Sequence, residues 1–169
     1  MRCRHPVVLS VVLLVVLAGA ASAGLYQSVV LSDSPEGYWR LGDAGATAMD
    51  ATGNGHAGAL VGDPDGAAGF NGSNHKVDIP HSIDLNPPSF SFECWAQVAP
   101  GSGSGHRSPM TSRSNSPQQG YIFYAQGGRW QFWTGPGWHN LPGPAGSVVE
   151  GEWAHLVGTY DATTQEKKL

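Results

Sequence analysis

Acidic residues could act in glycoside hydrolysis, which needs two carboxyl groups about 5 to 5.5 Å apart when the configuration is retained. Glu150 and Glu152 are two positions apart and could face the same way on a strand. They stand just before Trp153, at the entrance of a predicted strand, where a solvated turn is the preferred interpretation. The chain contains no Gly-x-Ser-x-Gly and no His-Glu-x-x-His motif. We therefore expect a protein that is not an enzyme.

A glycine-rich loop offers oxygen atoms that could bind a metal ion. Residues 50–58 read Asp-Ala-Thr-Gly-Asn-Gly-His-Ala-Gly, in which Asp50 and Asn54 carry side-chain oxygens. Structural Ca²⁺ is held by such mixtures of carboxylate and carbonyl oxygens in sharply turning loops, and Asp161 or Asp43 could complete the shell. The other interpretation is a tight turn in which Asp50 binds nearby amides. The predicted metal ligands are Asp50, Asn54 and Asp161.

Tryptophan residues provide candidate sugar-binding surfaces, because the C–H face of a sugar can stack on an indole while its hydroxyls bind polar neighbours. Trp95 shares a predicted strand face with Gln97, Trp133 lies in a predicted hairpin, and Trp138 lies in a Gly/Pro loop. We expect Trp138 to be the most exposed ring. The alternative is that these are ordinary core or hairpin aromatics. The predicted ligand-binding residues are Trp138, Trp133, Trp95 and Gln97.

Short strands must position these candidates. The chain has 24 Gly and 12 Pro among short aromatic and β-branched runs, and no sustained helical stripe follows residue 23. The pattern predicts an all-β fold, with Gly127-Gly128 as the two-residue turn of a hairpin. The predicted strands are residues 37–41, 58–61, 76–79, 89–98, 109–112, 120–126, 129–134 and 152–160.

The first 23 residues have the layout of a secretory signal peptide. Arg2 and Arg4 precede an apolar run over residues 6–17, and Ala-Ser-Ala follows at residues 21–23. The run is shorter than the roughly 18 to 20 residues that span a bilayer, so cleavage after residue 23 is favoured over a membrane anchor. The sequence therefore predicts a secreted protein without a membrane attachment after cleavage.

The mature chain, residues 24–169, has a normal size for one domain. Removing the two signal-peptide arginines leaves seven basic residues against 13 acidic ones, a formal charge of −6. Such a surface disfavours nucleic acid and anionic membranes as partners. Cys94 is the one cysteine that remains, so no internal disulfide can form, and its strand pattern predicts a small, buried hydrophobic residue.

Several segments together resemble the laminin-G-like domain of the concanavalin A-like lectin and glucanase superfamily. They are Phe-Asn-Gly at 70–72, Lys-Val-Asp-Ile-Pro at 76–80, Ser-Phe-Ser-Phe-Glu-Cys-Trp at 89–95, and Glu-Trp-Ala-His-Leu-Val-Gly-Thr-Tyr-Asp at 152–161. The resemblance implies an antiparallel jelly-roll β-sandwich, with Gly158 where the family has a β-branched or apolar residue. In the family further strands follow the last segment, so we expect residues 24–169 to lack the last strands. Further domains are expected to be missing from this chain.

The resemblance leaves three functional hypotheses. The first is a secreted, noncatalytic module that binds carbohydrate on an extracellular polymer or cell surface. The second is a glycoside hydrolase of the same superfamily, which is disfavoured because the Glu-x-Asp-x-x-Glu or Glu-x-Asp-x-Glu run of the glucanase relatives is missing. The third is an adhesion module that binds a surface protein. Nothing in the sequence separates sugar from protein as the partner. Some relatives hold calcium, so the resemblance leaves a structural Ca²⁺ open beside the favoured tight-turn interpretation.

Overall fold

The computed structural model describes residues 24–43, 45–61, 69–103 and 105–169. The predicted signal peptide lies outside these residues. Contacts divide the chain into two compact units, Met1–His81 and Ser82–Leu169. The expectation of one domain over residues 24–169 stays a prediction.

The first unit contains a short helix and a three-stranded sheet. Helix α1 covers residues 24–32, and the antiparallel strands β1 (Thr47–Ala48), β2 (Gly58–Val61) and β3 (Lys76–Asp78) pair in the order β1-β2-β3. None of the helices in the described part of the chain is long and apolar enough to cross a bilayer.

The prediction of a strand at residues 37–41 is wrong. This segment makes a single bridge, between Trp39 and Asp50, and no ladder. Leu41 has a φ of 56°, which ends the extended conformation that a strand requires. The Trp39 indole instead donates a hydrogen bond to the carbonyl oxygen of His56, at 2.7 Å. A side-chain hydrogen bond and an isolated bridge therefore replace strand pairing here.

The carboxylate of Asp50 closes the loop between β1 and β2. Its Oδ1 accepts hydrogen bonds from the N–H of Tyr38 at 3.1 Å, the N–H of Thr52 at 3.0 Å and the Thr52 hydroxyl at 2.7 Å. Its Oδ2 accepts one from the N–H of His56 at 3.1 Å. Desolvation raises the pKa of Asp50, but the four hydrogen bonds outweigh it and hold the pKa below its ordinary value.

The second unit contains two antiparallel sheets. Its strands are β4 (Phe90–Gln97), β5 (Thr111–Asn115), β6 (Gln118–Gln126), β7 (Arg129–Thr134), β8 (His139–Pro142), β9 (Trp153–Tyr160) and β10 (Lys167–Lys168). One sheet has the order β10-β9-β4 and the other β5-β6-β7-β8. The predicted hairpin is confirmed, since Gln126 pairs with Arg129 and Gly127 and Gly128 both have positive φ.

Strand β8 was expected to be part of a loop. It pairs with β7, in a register that places Phe132 opposite Leu141 and Gln131 opposite Pro142. A proline is tolerated there because β8 is an edge strand, where a missing N–H breaks no ladder. Strands β1 and β10 have only two residues each, which is too few to show an alternating pattern in the sequence.

The two sheets of the second unit enclose an apolar core. Phe123 and Phe132 are completely buried, and the Phe92 ring stacks on Phe123 with centroids 4.1 Å apart. The core residues are Phe92, Ala96, Val98, Tyr121, Phe123, Ala125, Trp130, Phe132 and Leu156. Cys94 is a free thiol that packs against this cluster, and burial, with a smaller effect of Glu93, raises its pKa to about 12. The prediction of an all-β sandwich is confirmed, whereas Cys94, predicted to be buried, is half-buried beside the core.

Gly158 is the tightest position between β9 and this core. A Cβ atom there would lie 2.8 Å from a ring carbon of Phe92 and 3.0 Å from two ring carbons of Phe123. We predict that Gly158→Val lowers the free energy of unfolding by about 1–3 kcal/mol, because rings and backbone must move to admit the side chain. Chemical denaturation measures the change. Val157→Thr, at the neighbouring exposed position, is the control; equal stability of the two variants would contradict the prediction.

Asp50 should give the first unit a pH-dependent stability. Since its folded-state pKa is lowered, its contribution is present above the unfolded-state value and is lost as pH falls through the folded-state pKa. We predict that Asp50→Ala lowers the free energy of unfolding by about 1–3 kcal/mol at neutral pH, because backbone N–H groups lose their acceptor. The difference from the wild type should shrink below about pH 4.

Amide hydrogen exchange of β2 measures this difference at each pH. Asp33→Ala, an exposed carboxylate of the same unit, is the matched control and should have little effect. A pH-independent loss in Asp50→Ala would show that the ionised carboxylate is not what stabilises the loop.

Candidate functional site

The sheet β10-β9-β4 buries one face and exposes the other. Along β4, Phe92 and Ala96 are buried while residues 91, 93, 95 and 97 are exposed, and β9 alternates in the same way. Ladder pairing places Glu93 opposite Val157, Trp95 opposite His155, and Gln97 opposite Trp153. We call this surface the outward face; it consists of residues 91, 93, 95 and 97 of β4 with residues 153, 155, 157 and 159 of β9.

Two tryptophans are exposed on the outward face. Trp95 keeps 53% of its surface exposed and Trp153 keeps 55%. Because Trp153 is two residues from the direct partner of Trp95, the two are diagonal neighbours with Cα atoms about 7–8 Å apart. Val157, on the same face, is 41% exposed. Together these side chains form an apolar surface that the fold leaves in contact with solvent.

A stack and a hydrogen bond hold Trp95 in place. The His155 ring lies nearly parallel to the indole, at an interplanar angle of 14° and a centroid distance of 4.8 Å. The Nε2 of His155 lies 3.1 Å from Oε2 of Glu93, on the neighbouring strand. The carboxylate fixes the imidazole and the imidazole fixes the indole, so the rotamer of Trp95 is restrained before any ligand arrives.

Gln97 and Trp153 are the next pair along the same face. The side-chain amide of Gln97 donates to the carbonyl oxygen of Gly151 at 2.8 Å, which orients the amide beside the indole. The prediction that Trp95 and Gln97 share a face is confirmed. Trp153 was not among the predicted site residues. Alternation places it on the face opposite Leu156, and the structure shows that Leu156 is buried and Trp153 exposed.

Trp133 lies on the other sheet of this unit and is not brought to the outward face. It is half-buried, its indole N–H donates to Oε1 of Gln131 at 2.8 Å, and its ring is perpendicular to Tyr124 at 6.1 Å. Gln131 itself is only 9% exposed. The indole of Trp133 is therefore engaged within its own sheet.

Trp138 is half-buried, so the expectation that it would be the most exposed ring is wrong. Its loop is the turn of the β7–β8 hairpin, where Gly137 and Trp138 both have positive φ, 77° and 50°. Turn formation fixes this segment, which composition alone suggested was a connector.

Each predicted metal ligand makes side-chain hydrogen bonds within the protein. Asp50 accepts the four hydrogen bonds described above, and Asn54 donates its amide to the carbonyl of Glu36 at 3.0 Å. Asp161, in the other unit, accepts hydrogen bonds from the N–H groups of Thr163 and Thr164, which lower its pKa. Hydrogen-bond donors occupy both carboxylate oxygens of Asp50, so Ca²⁺ would have to displace donors to bind there. Calcium binding stays a prediction, which melting with and without chelator tests.

Glu150 and Glu152 lie in an exposed turn before β9. Oε2 of Glu150 accepts a hydrogen bond from the N–H of Gly101 at 2.8 Å, which ties two loops together. Both carboxylates thus occupy the solvated turn that the sequence favoured.

Comparison with known proteins gives one match. A laminin-G family model, described as the concanavalin A-like lectin/glucanases superfamily, matches residues 71–167. Searches of the curated proteins and of the solved structures found no match. The matched range contains strands β3 to β9 and the first residue of β10. With more than half of its length matched and antiparallel sheets as observed, the chain belongs to the concanavalin A-like lectin/glucanase superfamily.

Proposed function

We propose that the outward face of β4 and β9 binds carbohydrate, and that the chain acts as a noncatalytic binding module on an extracellular polymer or cell surface. The exposure of Trp95 and Trp153 on one sheet face carries this proposal. Indole rings are usually largely buried, and clustered exposed apolar groups mark interaction sites. Both rings lie within the range that the family model matches.

The neighbours of the two indoles suit a sugar. A pyranose presents C–H groups on its ring faces and hydroxyls around its rim, so it needs an aromatic surface bordered by hydrogen-bonding groups. Glu93, Gln97 and His155 supply such groups from the same two strands. Since stacking and hydroxyl hydrogen bonds involve no net charge on the ligand, binding should depend little on ionic strength.

Restraint of Trp95 supports the same conclusion. Ordering a flexible side chain on binding costs about 0.5–1.5 kcal/mol, and a ring already held by His155 and Glu93 avoids most of that cost. A site on paired strands is also more rigid than a site on loops. The outward face is therefore preorganised for a ligand.

We predict that Trp153→Ala weakens binding of a soluble polysaccharide tenfold or more, because an anchoring tryptophan contributes on the order of 2 kcal/mol. Affinity electrophoresis against glucan, xylan and galactan measures the effect. Val149→Ala removes an exposed apolar side chain outside the outward face and should leave binding unchanged.

The same samples separate the rival hypotheses. If the chain releases reducing sugar and Glu93→Gln or Glu152→Gln abolishes the release, the chain is a hydrolase and the noncatalytic proposal is wrong. Retention of the chain on a surface protein, with no retention by any polysaccharide, would replace it with an adhesion module. Polysaccharide binding that survives Trp153→Ala and Trp95→Ala would remove the outward face as the site.

We further propose that the chain is exported and that residues 1–23 are removed. The layout of these residues supports this, and laminin-G-like domains are typically extracellular. N-terminal sequencing of material from the culture medium should begin at or near Gly24. Recovery of the protein only inside the cell, with Met1 or the next residue as its first, would overturn the proposal.

A further inference from the structure

A polar cavity lies at the far end of the sheet that carries the outward face. It is widely open to solvent, and its volume is about 490 Å³. The side chains of Phe90 and Tyr160, which also border it, pack together toward the core with centroids 5.7 Å apart. The polar residues around it are Ser89, Ser91, Thr159, Asp161, Glu166 and Lys168.

Strand register makes this cavity continuous with the outward face. Ser91 pairs with Thr159, and Thr159 pairs with Lys168, so all three side chains point to the same side of the sheet as Trp95. Six residues separate Ser91 from Gln97 along β4, which is about 20 Å of strand. Glu93 and Val157 lie between the two ends and are exposed.

The groups around the cavity are suited to hydroxyl recognition. Ser91 and Thr159 can both donate and accept, while a carboxylate only accepts. Asp161 already accepts the N–H of Thr163 at 2.8 Å and remains exposed, and Oγ of Ser89 accepts the N–H of Ala162 at 3.0 Å. The space is therefore bordered by both hydrogen-bond donors and acceptors.

We infer that the outward face takes an extended, neutral oligosaccharide, with one unit stacked at Trp153 and Trp95 and another hydrogen-bonded in the cavity beside Ser91 and Thr159. This inference rests on the proposed carbohydrate-binding function and adds the length and charge class of the ligand. A monosaccharide or a chain end would occupy one of the two places, whereas a polymer segment spans both.

Charge along the face favours a neutral ligand over an acidic one. Three carboxylates lie along the outward face and the cavity: Glu93, Asp161 and Glu166. Among the residues of the outward face and the cavity lining, Lys168 is the permanent cation. Placing a uronate or sulfate among these carboxylates would bring like charges together. The hydroxyls of a neutral sugar instead donate to the carboxylates without that repulsion.

The test compares ligand length. Disaccharides and hexasaccharides prepared from whichever neutral glucan, xylan or galactan the wild type binds are titrated calorimetrically into the wild type and into Ser91→Ala/Thr159→Val. We expect the hexasaccharide to bind about tenfold more tightly than the disaccharide to the wild type, since each added hydrogen bond contributes a few-fold to binding. The double variant should lose roughly that tenfold for the hexasaccharide alone.

Ser108→Ala, an exposed serine away from the outward face, is the matched control. The inference is overturned if both lengths bind with equal affinity, or if the tighter binding of the hexasaccharide survives Ser91→Ala/Thr159→Val. In either case the proposed function still holds if the disaccharide binds and Trp153→Ala weakens that binding. Tighter binding of a uronic-acid hexasaccharide than of the neutral one would also overturn it. If no saccharide of either length binds, the proposed function itself fails.

Discussion

The eight-residue ladder between β4 and β9 is the constraint on which both the core and the candidate site depend. Each strand places alternate side chains on opposite faces, so the pairing that brings Phe92 opposite Gly158 also brings Trp95 opposite His155. A slip of one residue would expose the core aromatics and bury the charged Glu93. The apolar face therefore fixes the register, and the register fixes the geometry of the exposed face.

The core imposes this register through shape as well as hydrophobicity. Phe92 and Phe123 stack over Gly158, and no side chain larger than hydrogen fits beneath them without movement. The family resemblance assigned a β-branched or apolar residue to that position, and the glycine suggested a weaker strand. The structure shows instead that the two rings fill the space a side chain would occupy.

Much of the second unit could be predicted from sequence, because strands β4, β6, β7 and β9 are runs of six to nine residues rich in aromatic and other apolar side chains. β8 escaped prediction because its strand is short and ends in proline. Some site residues were predicted correctly and others were not, for a physical reason. Alternation identifies which residues share a face, as for Trp95 and Gln97, but it does not show which face meets solvent. Whether Trp153, Trp133 or Trp138 is exposed depends on sheet packing, which single-strand patterns do not contain.

The exposed tryptophans have a thermodynamic consequence. Burying an indole stabilises a fold by a few kcal/mol, and a polar residue at position 153 would suit a solvent-facing strand without exposing an apolar ring. The fold instead combines exposure with restraint, since Trp95 is held by the Glu93–His155 pair at 3.1 Å. Restraint serves no purpose for a ring that only contacts water. Restraint matters when a rigid ligand must meet two rings whose separation the strand register sets, because then the Trp95 ring does not have to be ordered at the moment of binding.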